Sequence, residues 1–183
     1  MSSVLRIAIV GPESCGKTTL AAALAARLSA AGIGAAMVEE YARAYYAQRA
    51  YQPTPDDVLA IARGQLAAER RAEQAGCRVL LCDSTVLTCQ VWSEVAFGAV
   101  APELAGLCRP RDYGLTLLPR PDIPWAPDPL RTHPQARDML LQRYRRALAD
   151  AGAPVVEIYG NGALREEMAW SALAQTLAEL PKI

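Results

Sequence analysis

The sequence GPESCGKT at residues 11–18 constrains this chain more than any other stretch, because it matches G-x-x-x-x-G-K-[ST] at every fixed position. An apolar run precedes it at residues 4–10, and an alanine- and leucine-rich run follows it at residues 19–31. A phosphate-binding loop needs this strand–loop–helix context. Its glycines allow a tight turn whose backbone amides face a polyphosphate. The motif therefore predicts a nucleoside triphosphate site, with ATP as the expected ligand.

The side chains of this loop have separate expected roles. Lys17 would reach the terminal phosphates as a point charge, and the Thr18 hydroxyl would complete a magnesium shell. ATP and Mg²⁺ are therefore the expected cofactors. The predicted ATP-binding residues are Gly11, Glu13, Ser14, Cys15, Gly16, Lys17, Thr18, Thr19 and, from a later segment, Arg131.

Composition narrows the class of partner. Lys plus Arg and Asp plus Glu both number 19, so net charge does not favour nucleic acid. Apolar residues make up 52% of the chain, yet no apolar run is long enough to cross a bilayer, and residues 1–3 do not resemble the start of a signal peptide. Five cysteines without a C-x-x-C pair support neither a zinc site nor a disulfide framework. We expect a cytoplasmic protein with a small-molecule partner, and a homo-oligomer stays open.

Apolar runs typical of buried strands alternate with helical patterns along the whole chain. The predicted strands cover residues 4–10, 35–38, 78–82, 113–118 and 155–159. The predicted helices cover residues 19–31, 54–76, 85–97, 135–151 and 164–180, and residues 102–111 are expected to be a connector. This alternation predicts an α/β fold, the three-layer sandwich of P-loop NTPases, with a five-stranded parallel sheet covered by helices on both faces. We expect one domain over residues 1–183.

A proline-rich segment at residues 119–137 interrupts the alternation. Six prolines lie between residues 119 and 134, and each removes a hydrogen-bond donor and restricts the residue before it. A long irregular segment in a compact domain is usually functional or disordered. We interpret this one as a lid. A guanidinium on a mobile lid, from Arg131 or less strongly Arg137, would neutralise charge on a transferred phosphoryl group.

Acidic residues stand at the ends of two predicted strands. Asp83 follows an apolar strand, as a Walker B aspartate does, and would hold magnesium opposite Thr18. The alternative is an ordinary helix-capping aspartate. Glu40, at the end of the second strand, would accept the proton of an attacking hydroxyl. The alternative is that Glu39 and Glu40 are a solvated acid pair.

Four motifs, taken in order, resemble the ribosylnicotinamide kinase domain of bacterial NadR-type proteins. They are Glu40-Tyr41-Ala42-Arg43, Ala62-Arg63-Gly64-Gln65, Cys82-Asp83 with Thr88 and Trp92-Ser93-Glu94, and Trp125 with Asp128 and Arg131. The resemblance covers nearly the whole chain. It implies transfer of the ATP γ-phosphoryl group to the 5′-hydroxyl of nicotinamide riboside, giving nicotinamide mononucleotide. NadR-type regulators also carry an adenylyltransferase domain, which does not fit in this chain, so a free-standing kinase is expected.

The same resemblance implies a set of substrate contacts. Trp125 would stack on the pyridinium ring, while Glu40 and Arg43 would face the riboside and Arg131 would belong to the lid. The implied substrate-binding residues are Glu40, Tyr41, Arg43, Trp92, Trp125 and Asp128, and the implied catalytic residues are Lys17, Glu40, Asp83 and Arg131. Two positions depart from the family pattern: Thr85 replaces a second acid, and Pro129 replaces a lid glycine.

Other functions stay open at this point. The chain fits a kinase for another nucleoside or a vitamin alcohol, or a P-loop ATPase that acts on a partner. A GTPase would need an N-K-x-D motif, and the one asparagine of the sequence, Asn161, lies outside any such motif.

Overall fold

Five parallel strands form the central sheet of the computed structural model, which describes residues 4–180. The strands are β1 (Leu5–Ile9), β2 (Ala35–Val38), β3 (Val79–Asp83), β4 (Leu115–Pro119) and β5 (Val155–Ile158). Their spatial order is β2-β3-β1-β4-β5. The predicted five-stranded parallel sheet is confirmed, with strand ends displaced by two residues at most. Residues 1–3, on which part of the expectation about a signal peptide rests, lie outside the described residues.

Seven helices surround the sheet in the described part of the chain. They are α1 (Lys17–Ala30), α2 (Tyr41–Tyr46), α3 (Pro55–Gln74), α4 (Val86–Phe97), α5 (Pro102–Leu107), α6 (Arg137–Ala151) and α7 (Gly162–Glu179). The helix predicted to begin at Thr54 does so through a capping box, in which Thr54 and Asp57 each accept the other's backbone amide hydrogen. Within residues 4–180, no helix is both long and apolar enough to span a membrane.

Two short helices were not predicted. The residues 102–111 were expected to be a connector, but they contain α5 and are followed by a 3₁₀ turn at Pro110–Asp112. Pro102 occupies the first turn of α5, where a missing amide hydrogen costs nothing. Helix α2 directly follows Glu40 and has only six residues, too few to show a helical period. Both helices have only six residues, and helices this short are stabilised mainly by packing against the rest of the protein, which a local sequence pattern does not show.

The two faces of the sheet bury alternate residues of the same strands. Ile7 and Ile9 pack with α1 and α7 on one face. Ala8 and Val10 pack with α4 and α6 on the other. This alternation follows from the two-residue period of a strand and produces the predicted three-layer sandwich.

Parallel pairing brings the functional segments to one edge of the sheet. Ile9 pairs with Asp83, and Val38 pairs with Cys82, so β1, β2 and β3 end side by side. The phosphate loop, Glu40 and the start of α4 therefore emerge at the same edge, where ligands of open α/β sheets bind. From Arg120 to Ala136 the chain forms no helix or strand, as expected for the proline-rich segment.

Candidate active site

The loop between β1 and α1 is tightly wound. Gly11, Ser14 and Gly16 have positive φ angles of 156°, 53° and 82°. A Cβ atom on Gly11 would lie 3.0 Å from the backbone oxygen of Pro119, so a side chain does not fit there. The loop leads directly into the N-terminus of α1, whose free amides and dipole favour an anion. The geometry suits a bound polyphosphate.

Lys17 is the basic group of this loop. The residue is half-buried, and its Nζ atom donates to the backbone oxygens of Gly11 and Pro12 over 3.0 and 2.9 Å. Burial acts to lower the pKa of Lys17, but charge interactions with Cys15, then with Glu40, Tyr144 and Asp83, outweigh it and hold that pKa above its ordinary value. Lys17 is therefore a permanent cation at the mouth of the loop.

Thr18 and Asp83 form the oxygen pair that a magnesium ion would need. The Thr18 hydroxyl donates to Asp83 Oδ2 over 2.5 Å. Asp83 is 2% exposed, and its other oxygen, Oδ1, is buried without a hydrogen-bond partner among the described residues. A buried carboxylate oxygen without a partner is costly unless a cation completes it. Residues 4–180 contain no cluster of three or more His, Cys, Asp or Glu residues that could hold a metal ion.

The alternative role of Asp83 as a helix cap is not what the structure has. Thr85 caps α4 instead, because its hydroxyl accepts the Leu87 amide hydrogen over 3.3 Å. Thr85 is 3% exposed and lines the same cavity as the phosphate loop. Thr85, which replaces the second acid of the family pattern, thus serves as the N-cap of α4.

Glu40 stands beside Asp83 at the end of the neighbouring strand and faces the cavity. The Ser84 hydroxyl lies 3.5 Å from Glu40 Oε1, and Arg43 Nε lies 3.4 Å from Glu40 Oε2. Glu39 is exposed and is not among the residues that line the cavity. Of the two acids, Glu40 is the one in reach of a ligand here.

Arg43 connects Glu40 at the cavity wall to the proline-rich segment, here called the lid. Its guanidinium donates to Asp128 Oδ2 over 2.9 Å, and Asp128 Oδ1 accepts the Leu130 amide hydrogen over 3.0 Å. Partial burial acts to raise the pKa of Asp128, but these two hydrogen bonds keep it below its ordinary value. Asp128 is therefore an ionised anchor of the lid.

The phosphate loop holds the other end of the lid. Glu13 Oε2 accepts the amide hydrogens of Thr132 and His133 over 3.0 and 2.9 Å. Ser14 Oγ accepts the amide hydrogen of Ala126 over 2.8 Å. The predicted loop residues Glu13 and Ser14 thus use their side chains to bind the lid.

The two lid arginines have different surroundings. Arg131 lines the cavity and donates to the Ala126 oxygen over 2.5 Å. Arg137 donates to the backbone oxygens of Ser14 and Ile123 over 3.3 and 2.9 Å. Arg131 is the lid cation that faces the ligand space, while Arg137 fixes the lid to the loop.

An aromatic group lines part of the same cavity. The ring centroids of Tyr46 and Tyr51 are 4.9 Å apart, and those of Tyr51 and Trp92 are 6.4 Å apart. Burial raises the pKa of Tyr51 to about 12, so its ring stays neutral. The residues lining the cavity include Gly11, Glu13, Ser14, Cys15, Gly16, Lys17, Thr18, Thr19, Glu40, Tyr41, Arg43, Tyr46, Tyr51, Thr85, Thr88, Trp92, Arg131 and Tyr144. One cavity therefore joins a phosphate loop to an aromatic wall.

Two members of the predicted substrate set are not among the residues that line this cavity. Trp125 lies on the lid with the Arg137 guanidinium 5.8 Å from its ring centre, and Arg137 also donates to the Ser14 oxygen of the phosphate loop. Its stacking on the acceptor ring therefore stays a prediction, while Trp92 and Tyr51 are the aromatic residues that line the cavity here. Asp128 contacts the cavity-lining residues Arg43 and Leu130. In an irregular segment, the sequence does not determine which way a side chain points.

Arg165 was missed by the sequence reasoning. This residue of α7 is 6% exposed and donates to the backbone oxygens of Cys15, Gly160 and Arg120 over 2.6, 3.0 and 3.1 Å. It also pairs with Asp122. A buried guanidinium with four oxygen partners fixes the phosphate loop to the last helix. No motif marked it, because its partners lie far away in sequence.

Known proteins support this assignment of the fold. A family model described as AAA domain matches residues 6–165. Two solved structures of NadR protein, one in complex with NAD and AMP-PNP and one in complex with NR, superpose with TM-scores of 0.75 and 0.78. Each is 21% identical over 98% of this chain, which spans about half of theirs, 51% and 52%. No curated protein matches the sequence. The predicted NadR-like P-loop fold is confirmed.

Proposed function

We propose, from the premise that this chain belongs to the AAA domain family, that it is an ATP-dependent kinase with an alcohol as phosphoryl acceptor. We further propose that the acceptor is the 5′-hydroxyl of nicotinamide riboside and that the product is nicotinamide mononucleotide. The bound NR of the NadR structure supports this choice of acceptor. The observation that carries the proposal is a single cavity, which joins Lys17, Thr18 and Glu40 to an aromatic wall. Thr18 in turn donates a hydrogen bond to Asp83.

The reaction would need few chemical groups from the protein. The acceptor oxygen attacks the γ-phosphorus, the bond from that phosphorus to the β–γ bridging oxygen breaks, and ADP leaves. The hydroxyl proton passes to the Glu40 carboxylate. Lys17 and Arg131 stabilise the negative charge on the transferred group. Thr18 and Asp83 would hold Mg²⁺, which neutralises phosphate oxygens when it is bound.

The aromatic wall supports an acceptor that contains a flat ring. Tyr46, Tyr51 and Trp92 present apolar faces, and Trp offers the best aromatic surface for a cationic ring. Arg43 and Glu40 at the cavity wall supply a donor and an acceptor for ribose hydroxyls. This combination suits a riboside better than a bare alcohol.

The proposal also assigns a role to the lid and treats the chain as one kinase domain. Residues 119–137 would close over both substrates, since they bind the phosphate loop through Glu13 and α2 through Arg43. Closure would exclude water and so suppress ATP hydrolysis. The partner is then a small molecule in the cytoplasm, and residues 1–183 act as one kinase domain.

A phosphate-transfer screen tests the proposal. The protein would be incubated with ATP, Mg²⁺ and a panel of nucleosides, nicotinamide riboside and vitamin alcohols, and products identified by mass spectrometry. Phosphorylated nicotinamide riboside as the main product supports the proposal. Another phosphorylated acceptor keeps the kinase and replaces its substrate. ATP hydrolysis without any phosphorylated acceptor favours an ATPase that acts on a partner.

A further inference from the structure

Gln65 lies between the two turns that carry the acidic residues of the site. It belongs to α3 and is 3% exposed. One turn, after β2, contains Glu40, and the other, after β3, contains Asp83 and Ser84. A buried amide has four hydrogen-bonding positions, and each unfilled one is costly. Its partners therefore indicate what the residue does.

The oxygen of the Gln65 amide binds the turn that carries Glu40. Gln65 Oε1 accepts the backbone amide hydrogen of Tyr41 over 2.9 Å. Tyr41 is the first residue of α2, and Glu40 occupies the N-cap without capping the helix by its own side chain. Gln65 thus satisfies an amide that the helix leaves free, directly beside Glu40.

The nitrogen of the same amide binds the turn that follows Asp83. Gln65 Nε2 donates to the backbone oxygen of Ser84 over 3.2 Å. Ser84 has a φ angle of 71°, which is unfavourable for a residue with a side chain and persists only where the surroundings fix it. The Ser84 hydroxyl in turn lies 3.5 Å from Glu40. One side chain therefore ties together the backbones on which both carboxylates sit.

The orientation of the amide is also determined. Gln65 Nε2 lies 3.5 Å from Glu69 Oε1, and Glu69 is fully buried with Arg6 and Tyr113 as partners. An amide flip would place the Gln65 oxygen against both the Ser84 oxygen and the Glu69 carboxylate. The hydrogen-bond network thus allows one orientation only.

Gly64 brings the two helices close enough for this arrangement. A Cβ atom at Gly64 would lie 2.1 Å from Cε1 of Tyr41, so the Tyr41 ring packs directly on the backbone of α3. That contact places the Tyr41 amide within reach of the next residue, Gln65. Gly64 and Gln65 act as one docking element for the start of α2.

We propose that Gln65 is a positioning residue that sets the placement of Glu40 relative to Asp83, and thereby couples the acceptor side of the site to the phosphate side. The inference rests on the proposed function, in which Glu40 takes the proton of the acceptor. Residues that orient metal ligands through hydrogen bonds typically change affinity or activity by about 10–100-fold when replaced, and we expect an effect of similar size here.

The test replaces Gln65 by a residue of similar volume without hydrogen bonds. Gln65→Met should lower kcat by about 10–100-fold while KM for ATP stays within about twofold of wild type. Gln74→Met is the matched control, since Gln74 ends the same helix and is exposed. The control should keep wild-type kcat and thermal stability.

A double-mutant cycle separates positioning from loss of stability. If Gln65 acts through Glu40, the Gln65→Met change should cost much less in a Glu40→Gln background, because the group it places is already absent. Equal losses in both backgrounds would overturn the inference.

Amide hydrogen exchange supplies a readout that does not depend on catalysis. The Tyr41 amide should exchange slowly in wild type and in Gln74→Met, and much faster in Gln65→Met, with the sheet amides unchanged. A wild type that phosphorylates no acceptor defeats the proposed function, and the exchange result then decides the inference about Gln65. Unchanged exchange of the Tyr41 amide in Gln65→Met would refute the inference about Gln65.

Discussion

The Thr18 hydroxyl donates to Asp83 Oδ2 over 2.5 Å, although 65 positions separate the two residues in the chain. The pairing of Ile9 with Asp83 brings them together, because it sets the end of β3 beside the start of the phosphate loop. Asp83 Oδ1, which has no hydrogen-bond partner among the described residues, and the Thr18 hydroxyl are therefore two neighbouring oxygen ligands of the kind that Mg²⁺ prefers. The proposed metal role of Asp83 therefore depends on the register between β1 and β3.

Asp83→Asn should raise the magnesium concentration needed for phosphoryl transfer and lower kcat by orders of magnitude, because an amide is a poor magnesium ligand. Magnesium titrations of transfer activity measure both effects. Asp56→Asn is the matched control, since Asp56 is an exposed aspartate in the first turn of α3. An unchanged magnesium titration for Asp83→Asn would reduce Asp83 to a structural residue.

Lys17→Met should abolish phosphoryl transfer and leave the fold intact, since it removes the charge that holds the terminal phosphates. The pKa of Lys17 lies above its ordinary value, so loss of activity between pH 6 and pH 9 should not come from this residue. Circular dichroism checks the fold, and the equivalent change at Lys182, the other lysine of the sequence, is the control. Wild-type turnover by Lys17→Met would refute the phosphate-loop assignment.

Local patterns predicted the parts of the site that follow strands. The phosphate loop is a continuous motif, and Asp83 and Glu40 each end an apolar run, so their positions at one sheet edge follow from parallel topology. The fold itself followed from the same alternation of strands and helices. These features depend on neighbours in sequence.

The remaining parts of the site depend on distant contacts. Arg165 binds Cys15 across 150 positions, and Gln65 binds Tyr41 across 24, and neither contact leaves a periodic signal. Helix α2 is too short for a pattern, yet it carries Arg43. Trp125 is expected at the acceptor because it is aromatic and irregularly placed, and in this structure its ring lies near the Arg137 guanidinium. Composition identified the lid without fixing its side chains.

Glu40→Gln should lower kcat by about 10²–10⁴-fold, the usual contribution of a general base. Glu39→Gln is the matched control, because Glu39 is adjacent, exposed and absent from the cavity wall. Steady-state kinetics with the best acceptor of the screen measure both variants. If Glu39→Gln loses activity and Glu40→Gln keeps it, the base is the other member of the pair.

Asp128→Asn should loosen the lid by weakening the hydrogen bond to Arg43. Trypsin should then cut after Arg131 faster than in wild type, while Asp138→Asn, an exposed aspartate of α6, serves as control. Unchanged cleavage would show that Arg43 does not hold the lid.

The same contact predicts a pH dependence of lid closure. The closed lid lowers the pKa of Asp128, so its contribution is fully present above the ordinary aspartate pKa of about 3.9 and is lost as the pH falls through the lowered value. Hydrogen exchange of the lid amides, compared between wild type and Asp128→Asn at matched pH, should converge at low pH. A difference that persists there would contradict the assignment.

Trp92→Ala should weaken acceptor binding several-fold or more while ATP affinity changes little, because in the proposed function the acceptor ring stacks on the aromatic wall that Trp92 and Tyr51 form in the cavity. A cation against an aromatic face contributes about 0.5–2 kcal/mol, depending on how dry the site is. Trp92→Phe should recover part of the loss.

Calorimetric titrations with nicotinamide riboside and with ATP measure both affinities. Trp170→Ala is the control, since Trp170 lies on α7 with its ring against the Arg27 guanidinium of α1 and is not among the residues that line the cavity. If Trp125→Ala weakens the acceptor and Trp92→Ala does not, the lid supplies the stacking face after all, and the ligand-bound lid must turn Trp125 away from Arg137.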